Sequence, residues 1–284
     1  MTNLRIIILM TLTMIAFAAN ALLCRAALKH TGIDAASFTS LRLVSGAMML
    51  WLVVRIKSGT NSGSGNWWSA FALFAYAITF SFAYVTLPAG TGTLLLFGAV
   101  QVTMIGHGIW AGERLLKLQL VGLVLALAGL VGLLLPGISA PPMVGSLLML
   151  TAGVAWGIYS LRGRGAGDAT QVTAGNFLRA ATLAAALSIL LYDRAFVDAA
   201  GFWYAITSGA LASGIGYAIW YATLPSLKSV TAASVQLSVP VIAAIGGILF
   251  LGESLTLRLV LSSVTILGGI ALVIYEKQHA NFRR

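Results

Sequence analysis

Two arginines, Arg42 and Arg179, sit inside long apolar runs, 137 residues apart. A guanidinium in an apolar span is costly and marks a functional site by default. Its rigid fork of donors suits a carboxylate. The competing reading is that each snorkels to the nearer interface or ties loops through Asp34 or Asp168. Around them run aromatic stripes. Tyr76, Phe80 and Tyr84 recur at i, i+4 and i+8, one face of a helix, and Ser213, Tyr217 and Tyr221 repeat that spacing 137 residues later. Aromatic walls with a few polar tips suit an amphipathic solute bearing an apolar side chain. Packing and interfacial belts explain Tyr84 and Tyr221 equally well.

Mid-span polar groups complete the set. Asn20, Gln101, Gln236 and Ser238 need partners, so they face protein or cavity. Trp156 and Tyr159, at i and i+3, stand 139 residues after Phe17 and Asn20. Interhelical hydrogen bonding is the plainer role for each. Pro240 removes a backbone donor and frees a carbonyl, which makes it a flex point. Gly98, Gly106, Gly209, Ser213 and Gly216 form small faces along which helices can rock. Glu113 and Glu253 each follow a glycine before the next run, and are expected to cap the positive end of that next helix. His107 reads as a packed histidine.

Other chemistries find no footing in the sequence. No Asp or Glu falls mid-span, which argues against proton or sodium coupling. There is no HExxH, no intramembrane aspartate pair and no Ser–His pairing, so the chain is not expected to be an enzyme. Cys24 is the single cysteine and reads as a small packed hydrophobe. No metal or cofactor is expected.

The elements that position these residues follow from composition. Of 284 residues, 59% are hydrophobic and only 8% charged. A soluble domain carries roughly 25% charged residues, so lipid is the solvent here. Apolar runs cover about 6–27, 35–54, 67–87, 91–111, 116–135, 143–161, 172–192, 202–222, 230–251 and 257–275. Each is long enough to cross about 30 Å of hydrocarbon as a helix. Lipid demands internal backbone hydrogen bonding, and the short alternating segments of a barrel are absent. The first run continues past Ala18-Ala19-Asn20-Ala21, so it reads as a retained helix rather than a cleaved leader.

The net charge of +10 belongs to topology, not to nucleic acid. With the N-terminus inside, 11 Lys and Arg lie on inner segments and 4 on outer ones. That bias places both termini in the cytoplasm. Trp51, Trp67, Trp68 and Trp110 fall near inner span ends and Trp203 near an outer one, as interfacial anchors do.

The chain also repeats itself. Tyr84-Val85-Thr86-Leu87-Pro88 returns as Tyr221-Ala222-Thr223-Leu224-Pro225, offset by 137, and Gly112-Glu113 returns as Gly252-Glu253, offset by 140. Five spans separate the copies, an odd number, so the halves 1–140 and 141–284 are expected to point in opposite directions. Inverted repeats of this kind place a substrate site near the midplane at the repeat interface. Helices 5 and 10 are polar-poor and carry Gly122, Gly129, Gly132 and Gly268-Gly269, so they are expected to be peripheral and closely packed.

The duplicated unit, Pro240 followed by Gly252-Glu253-Ser254-Leu255, and Gly112-Glu113-Arg114-Leu115 resemble the drug/metabolite transporter superfamily, specifically its EamA-type ten-helix members. Phe17-Ala18-Ala19-Asn20 and Trp156-Gly157 add to the likeness. Val100 stands where the family's first proline is expected, so helix 4 is expected to be straighter than helix 9. The resemblance implies an all-α integral membrane fold and transport of amino acids, metabolites or drug-like solutes, often outward, with the bacterial amino-acid exporters as the favoured subgroup. The combined expectation is a carrier in the bacterial inner membrane, monomeric or weakly dimeric, working by alternating access without ion coupling. Its site would use Asn20, Arg42, Tyr76, Phe80, Gln101, Trp156, Tyr159, Arg179, Tyr217, Gln236 and Ser238. The rivals are a proton-coupled multidrug or metabolite carrier, a channel, and an intramembrane enzyme.

Overall fold

The computed structural model describes residues 3–58, 65–112, 115–137, 139–163, 168–223 and 235–282. They form α1 (Asn3–His30), α2 (Ala35–Ser58), α3 (Trp67–Tyr84), α4 (Ala89–Trp110), α5 (Lys117–Leu134), α6 (Met143–Arg162), α7 (Ala169–Leu190), α8 (Ala199–Thr207), α9 (Gly216–Thr223), α10 (Ser238–Leu251) and α11 (Leu257–Phe282). Among the described residues there is no strand. Eight helices, α1–α7 and α11, are long and apolar enough to cross a membrane, which makes this a multi-pass membrane protein. The run expected at 202–222 is continuously helical but changes type: a π segment, Ser208–Ile215, joins α8 to α9. Of the run expected at 230–251, residues 235–236 are helical, Leu237 is a turn and α10 follows, while residues 224–234 lie outside the described set.

Short polar residues start the helices by accepting backbone donors that have no partner within the helix. Asp34 accepts from Ala36 N and Ser37 N, Asn66 from Ser69 N, Asp168 from Thr170 N, and Asp198 from Gly201 N. Glycines end two of them. Gly112 (φ +90°) closes α4 and Gly252 (φ +61°) closes α10, a left-handed backbone that glycine adopts without steric cost. Both belong to the repeated Gly-Glu pair.

Packing sorts the helices into a core and a periphery. The α5–α11 pair crosses where Gly122 meets Gly269 and Gly129 meets Ile266, while Gly132 and Gly268 face open space. Inside, α2 lies along α7, α6 runs between α3 and α4, and α1 rests on α9 and α10. Every residue of α4 from Ala89 to Gln101 is buried, so this half-helix is the axis of the bundle. Trp51, Trp67, Trp68, Trp110 and Trp203 are all exposed on the lipid-facing surface. Trp156 and Trp220 turn inward instead.

Candidate functional site

A cavity of about 30 Å³ lies among α1, α3, α4, α6, the π segment and α9. Phe17, Asn20 and Ala21 line it from α1, Tyr76 and Phe80 from α3, and Thr93, Leu96 and Phe97 from α4. Trp156, Ala212, Ser213 and Tyr217 close the other side. That volume holds roughly two water molecules. In this conformation a metabolite fits only if side chains and helices move apart.

The aromatic rings form one continuous surface. Phe17 lies 5.6 Å from Tyr217, Tyr217 stacks on Trp156 at 5.3 Å, and Trp156 meets Tyr76 at 4.9 Å. Tyr76 continues to Phe80 at 5.3 Å and Phe80 to Tyr84 at 4.7 Å. Helical spacing places the α3 rings on one face. In the second half, the wider π turn keeps Ser208, Ala212, Ser213 and Tyr217 on the side facing α1 and α2. Gly209 makes that approach possible, because a Cβ there would run into the Arg42 carbonyl and the Ser45 hydroxyl.

The polar centre is Asn20. Its Oδ1 accepts from Ser208 Oγ at 2.6 Å and from Arg42 Nη1 at 3.5 Å, and its Nδ2 donates to Tyr76 Oη at 3.4 Å. Arg42 carries only donors, so the amide oxygen is the atom that faces it. Arg42 is 1% exposed, and its guanidinium lies 5.0 Å from the Phe80 ring centroid and 5.5 Å from that of Tyr76. No carboxylate among the described residues pairs with it; the one ion pair there is Arg25–Glu253. Arg42 is not itself on the cavity surface. It stands directly behind Asn20 of α1 and Tyr76 and Phe80 of α3, where direct contact with the solute was expected.

Arg179 is elsewhere. It is half-buried, donates to Gly175 O at 3.0 Å and lies 5.9 Å from the ring of the exposed Trp67. That is the snorkelling alternative, since the guanidinium reaches the interfacial tryptophan rather than the cavity. Tyr159 is buried and accepts from Asn176 Nδ2 at 3.5 Å, so it belongs to a contact tying α6 to α7, not to the cavity wall. Asn176 Oδ1 in turn accepts from Asn66 N at 2.8 Å. Gln101 is buried one turn beyond Phe97, off the wall. Gln236 and Ser238 sit at the start of α10, where Ser238 Oγ donates to Val235 O. Pro240 falls in the first turn of α10, just after the turn at Leu237 that follows helical residues 235–236.

The small residues divide likewise. Ser213 lines the cavity and Gly209 packs on α2. Gly216 approaches Ala16, Gly98 meets Leu130 of α5, and Gly106 faces open space. Glu113 lies outside the described residues. Glu253 does cap a helix, but not the one that follows it. Both its carboxylate oxygens accept from Ala89 N, at 3.0 and 2.8 Å, so it caps α4. It also pairs with Arg25, whose Nη1 donates to Tyr84 O and Val85 O. The following helix is capped instead by Thr256, which accepts from Leu259 N. Sequence reasoning missed Ser208, Thr93, Leu96 and Phe97. The i+4 step from Thr93 to Phe97 was a usable signal; the pairing of Ser208 with Asn20 had none.

Residues 143–275 match the EamA-like transporter family. The chain is 56% identical to the Uncharacterized protein PA1977 of Pseudomonas aeruginosa, over 96% of each chain. It is 23% identical to the Uncharacterized transporter YoaV of Bacillus subtilis, covering 82% of this chain and 85% of that one. A solved crystal structure superposes with a TM-score of 0.69 over 96% of this chain and 98% of its own, at 18% identity, a likeness of fold.

Proposed function

Since the chain belongs to the drug/metabolite transporter superfamily and is a membrane transporter, we propose that it carries amino acids with aromatic or other apolar side chains by alternating access between two inverted five-helix halves. The observation that carries this reading is the cavity itself. Its wall draws on α1, α3 and α4 from one half and on α6, the π segment and α9 from the other. Its surface is mainly aromatic, with a polar spot at Asn20 and Tyr76. A site shared between halves is what a carrier needs when the halves rock about it. The repeated Gly-Glu pair supports two related halves, since Gly112 and Gly252 end α4 and α10 in the same left-handed conformation.

Among the described residues no Asp or Glu lines the cavity, so we read the transport as uncoupled and its net direction, outward in the family, as set by the solute gradient. The bacterial inner membrane with both termini in the cytoplasm is the setting that the Lys and Arg distribution supports.

The test is uptake of labelled phenylalanine, leucine and lysine into proteoliposomes, with and without an imposed proton gradient. Saturable uptake of phenylalanine and leucine that the gradient leaves unchanged supports the reading. Gradient-driven accumulation removes the uncoupled mechanism. Transport of cationic drugs with no amino-acid uptake removes the substrate class.

A further inference from the structure

The hydrogen bonds around Asn20 fix more than its position; they fix the polarity of the cavity wall. Oδ1 is taken by Ser208 Oγ and Arg42 Nη1. The amide nitrogen therefore faces Tyr76, whose phenol oxygen accepts from it. A phenol that accepts keeps its own hydrogen to donate. Asn20 Nδ2 has a second hydrogen to offer as well. Both side chains line the cavity, and the charge of Arg42, unpaired with any carboxylate among the described residues, stands directly behind them. In a low-dielectric interior such a charge polarises the hydrogen bonds in front of it.

The geometry points to a carboxylate-reading wall: Asn20 and Tyr76 donate to the substrate's anionic group, and Arg42 acts as a positioning residue that orients those donors and supplies the balancing charge without touching the solute. The inference rests on the transporter reading and on the small-solute site proposed above. It goes further in saying which end of the solute is read and by which atoms. An ammonium group finds no carboxylate among the lining residues, so the amine is not what confers selectivity. Solutes with an acid group and an apolar body are accepted whether or not they carry an amine. Amines without an acid are rejected, because they meet donors and a positive charge.

The experiment uses the purified full chain in detergent and two probes that split phenylalanine between them: 3-phenylpropionate, which keeps the acid, and phenethylamine, which keeps the amine. At a hundredfold excess over Kd, a ligand that binds only the folded state raises Tm by about 4–5 °C for a chain of this size. 3-Phenylpropionate is expected to do so and phenethylamine is not. Asn20→Asp places an acceptor and a negative charge in the wall, and is expected to abolish stabilisation by 3-phenylpropionate. Tyr76→Phe removes one donor and is expected to weaken binding of 3-phenylpropionate about tenfold. Arg42→Lys keeps the charge and is expected to keep the preference for the acid; Arg42→Gln is expected to lose it. Should the Arg42 variants fail to fold, the Asn20 and Tyr76 variants still decide.

Equal stabilisation by both probes, or by neither, overturns the inference. So does an Asn20→Asp protein that keeps its response to the acid. Stabilisation by 3-phenylpropionate together with absent phenylalanine uptake upholds the carboxylate-reading wall and removes the amino-acid reading.

Discussion

Replacing Glu253 with alanine tests how the helices are held at one end of the bundle. Glu253 is bonded to α1 and α4 at once, and reaches the end of α3 through Arg25. Its two oxygens accept the Ala89 N–H, and Oε1 lies 3.4 Å from Arg25 Nε. The ion pair is largely buried, with side-chain exposures of 12% for Arg25 and 9% for Glu253. Losing a hydrogen bond to a charged group costs about 1.5–3 kcal/mol. Removing an anion from a helix N-terminus adds about 0.3–1 kcal/mol. Relief of the carboxylate's own desolvation offsets part of this. Arg25 keeps the Tyr84 and Val85 carbonyls, at 2.8 and 2.9 Å, so it is not stranded. The net loss is about 2–3 kcal/mol, which lowers Tm by roughly 3–5 °C in a chain of this length. Glu253→Gln keeps an acceptor for Ala89 and is expected to lose about half as much. Differential scanning fluorimetry of the purified variants in one detergent reads both. A Glu253→Ala protein melting within about 1 °C of the parent refutes the reasoning. A double-mutant cycle with Arg25→Ala should return a coupling of only about 0.5–1 kcal/mol, since most of each partner's bonding goes elsewhere.

Three further outcomes are expected. Gly209→Ala forces a methyl group into the Arg42 carbonyl and the Ser45 hydroxyl, so it should destabilise by about 1–3 kcal/mol, and unchanged melting would show that the π segment yields instead. Burial pushes the Asp34 carboxyl up, but hydrogen bonds from the Ser37 side chain and from the Ser37, Phe196 and Ala36 backbone outweigh it and hold the group below its ordinary value of 3.8; its stabilisation is thus complete above that value and lost as pH falls through the lowered one. The gap in melting temperature between the parent and Asp34→Asn should therefore hold at pH 5 and shrink below about pH 4, and a gap independent of pH would exclude the ionised form. Arg179→Gln should transport as the parent does, because Arg179 lies against Trp67 and not the cavity; a large rise in KM for phenylalanine would place it in the substrate's path.

Much of the scaffold was legible because hydrophobic length and helical spacing are local properties. Tyr76 and Phe80 share a face in any helix, and both line the cavity. Trp156 and Tyr217 meet them only because α6 and α9 pack where they do, and the repeat offset was the clue to that. What stayed illegible was contact between distant segments. Glu253 was readable as a cap, yet its partner Ala89 lies 164 residues away, and nothing local distinguishes that helix end from its own. The change to a π helix at Ser208–Ile215 was hidden too, since small residues such as those of Ser-Gly-Ala-Leu-Ala-Ser-Gly-Ile are compatible with either winding. Gln236 and Ser238 read as mid-span polar groups of one unbroken run at 230–251, whereas a turn at Leu237 separates helical residues 235–236 from α10.

The two arginines make the same point about function. They share the 137-residue offset of the sequence repeat, yet Arg42 is sealed behind the cavity wall while Arg179 reaches an exposed tryptophan. The other equivalent pairs diverge as well: Tyr76 answers to Ser213, and Asn20 to Tyr159. On the proposed reading two related halves supply two similar walls, but the proposed solute, with one anionic end and one apolar end, is not symmetric. Two identical walls would bury two guanidinium charges around one small cavity, and the second would add its own desolvation cost of several kcal/mol. One polar wall, built from Asn20, Tyr76 and the arginine behind them, faces a more aromatic wall of Trp156, Ala212, Ser213 and Tyr217, and that division suits an amphipathic molecule. In the proposed carrier the asymmetry of the walls therefore matches the solute, while the repeat between the halves serves the proposed alternating access.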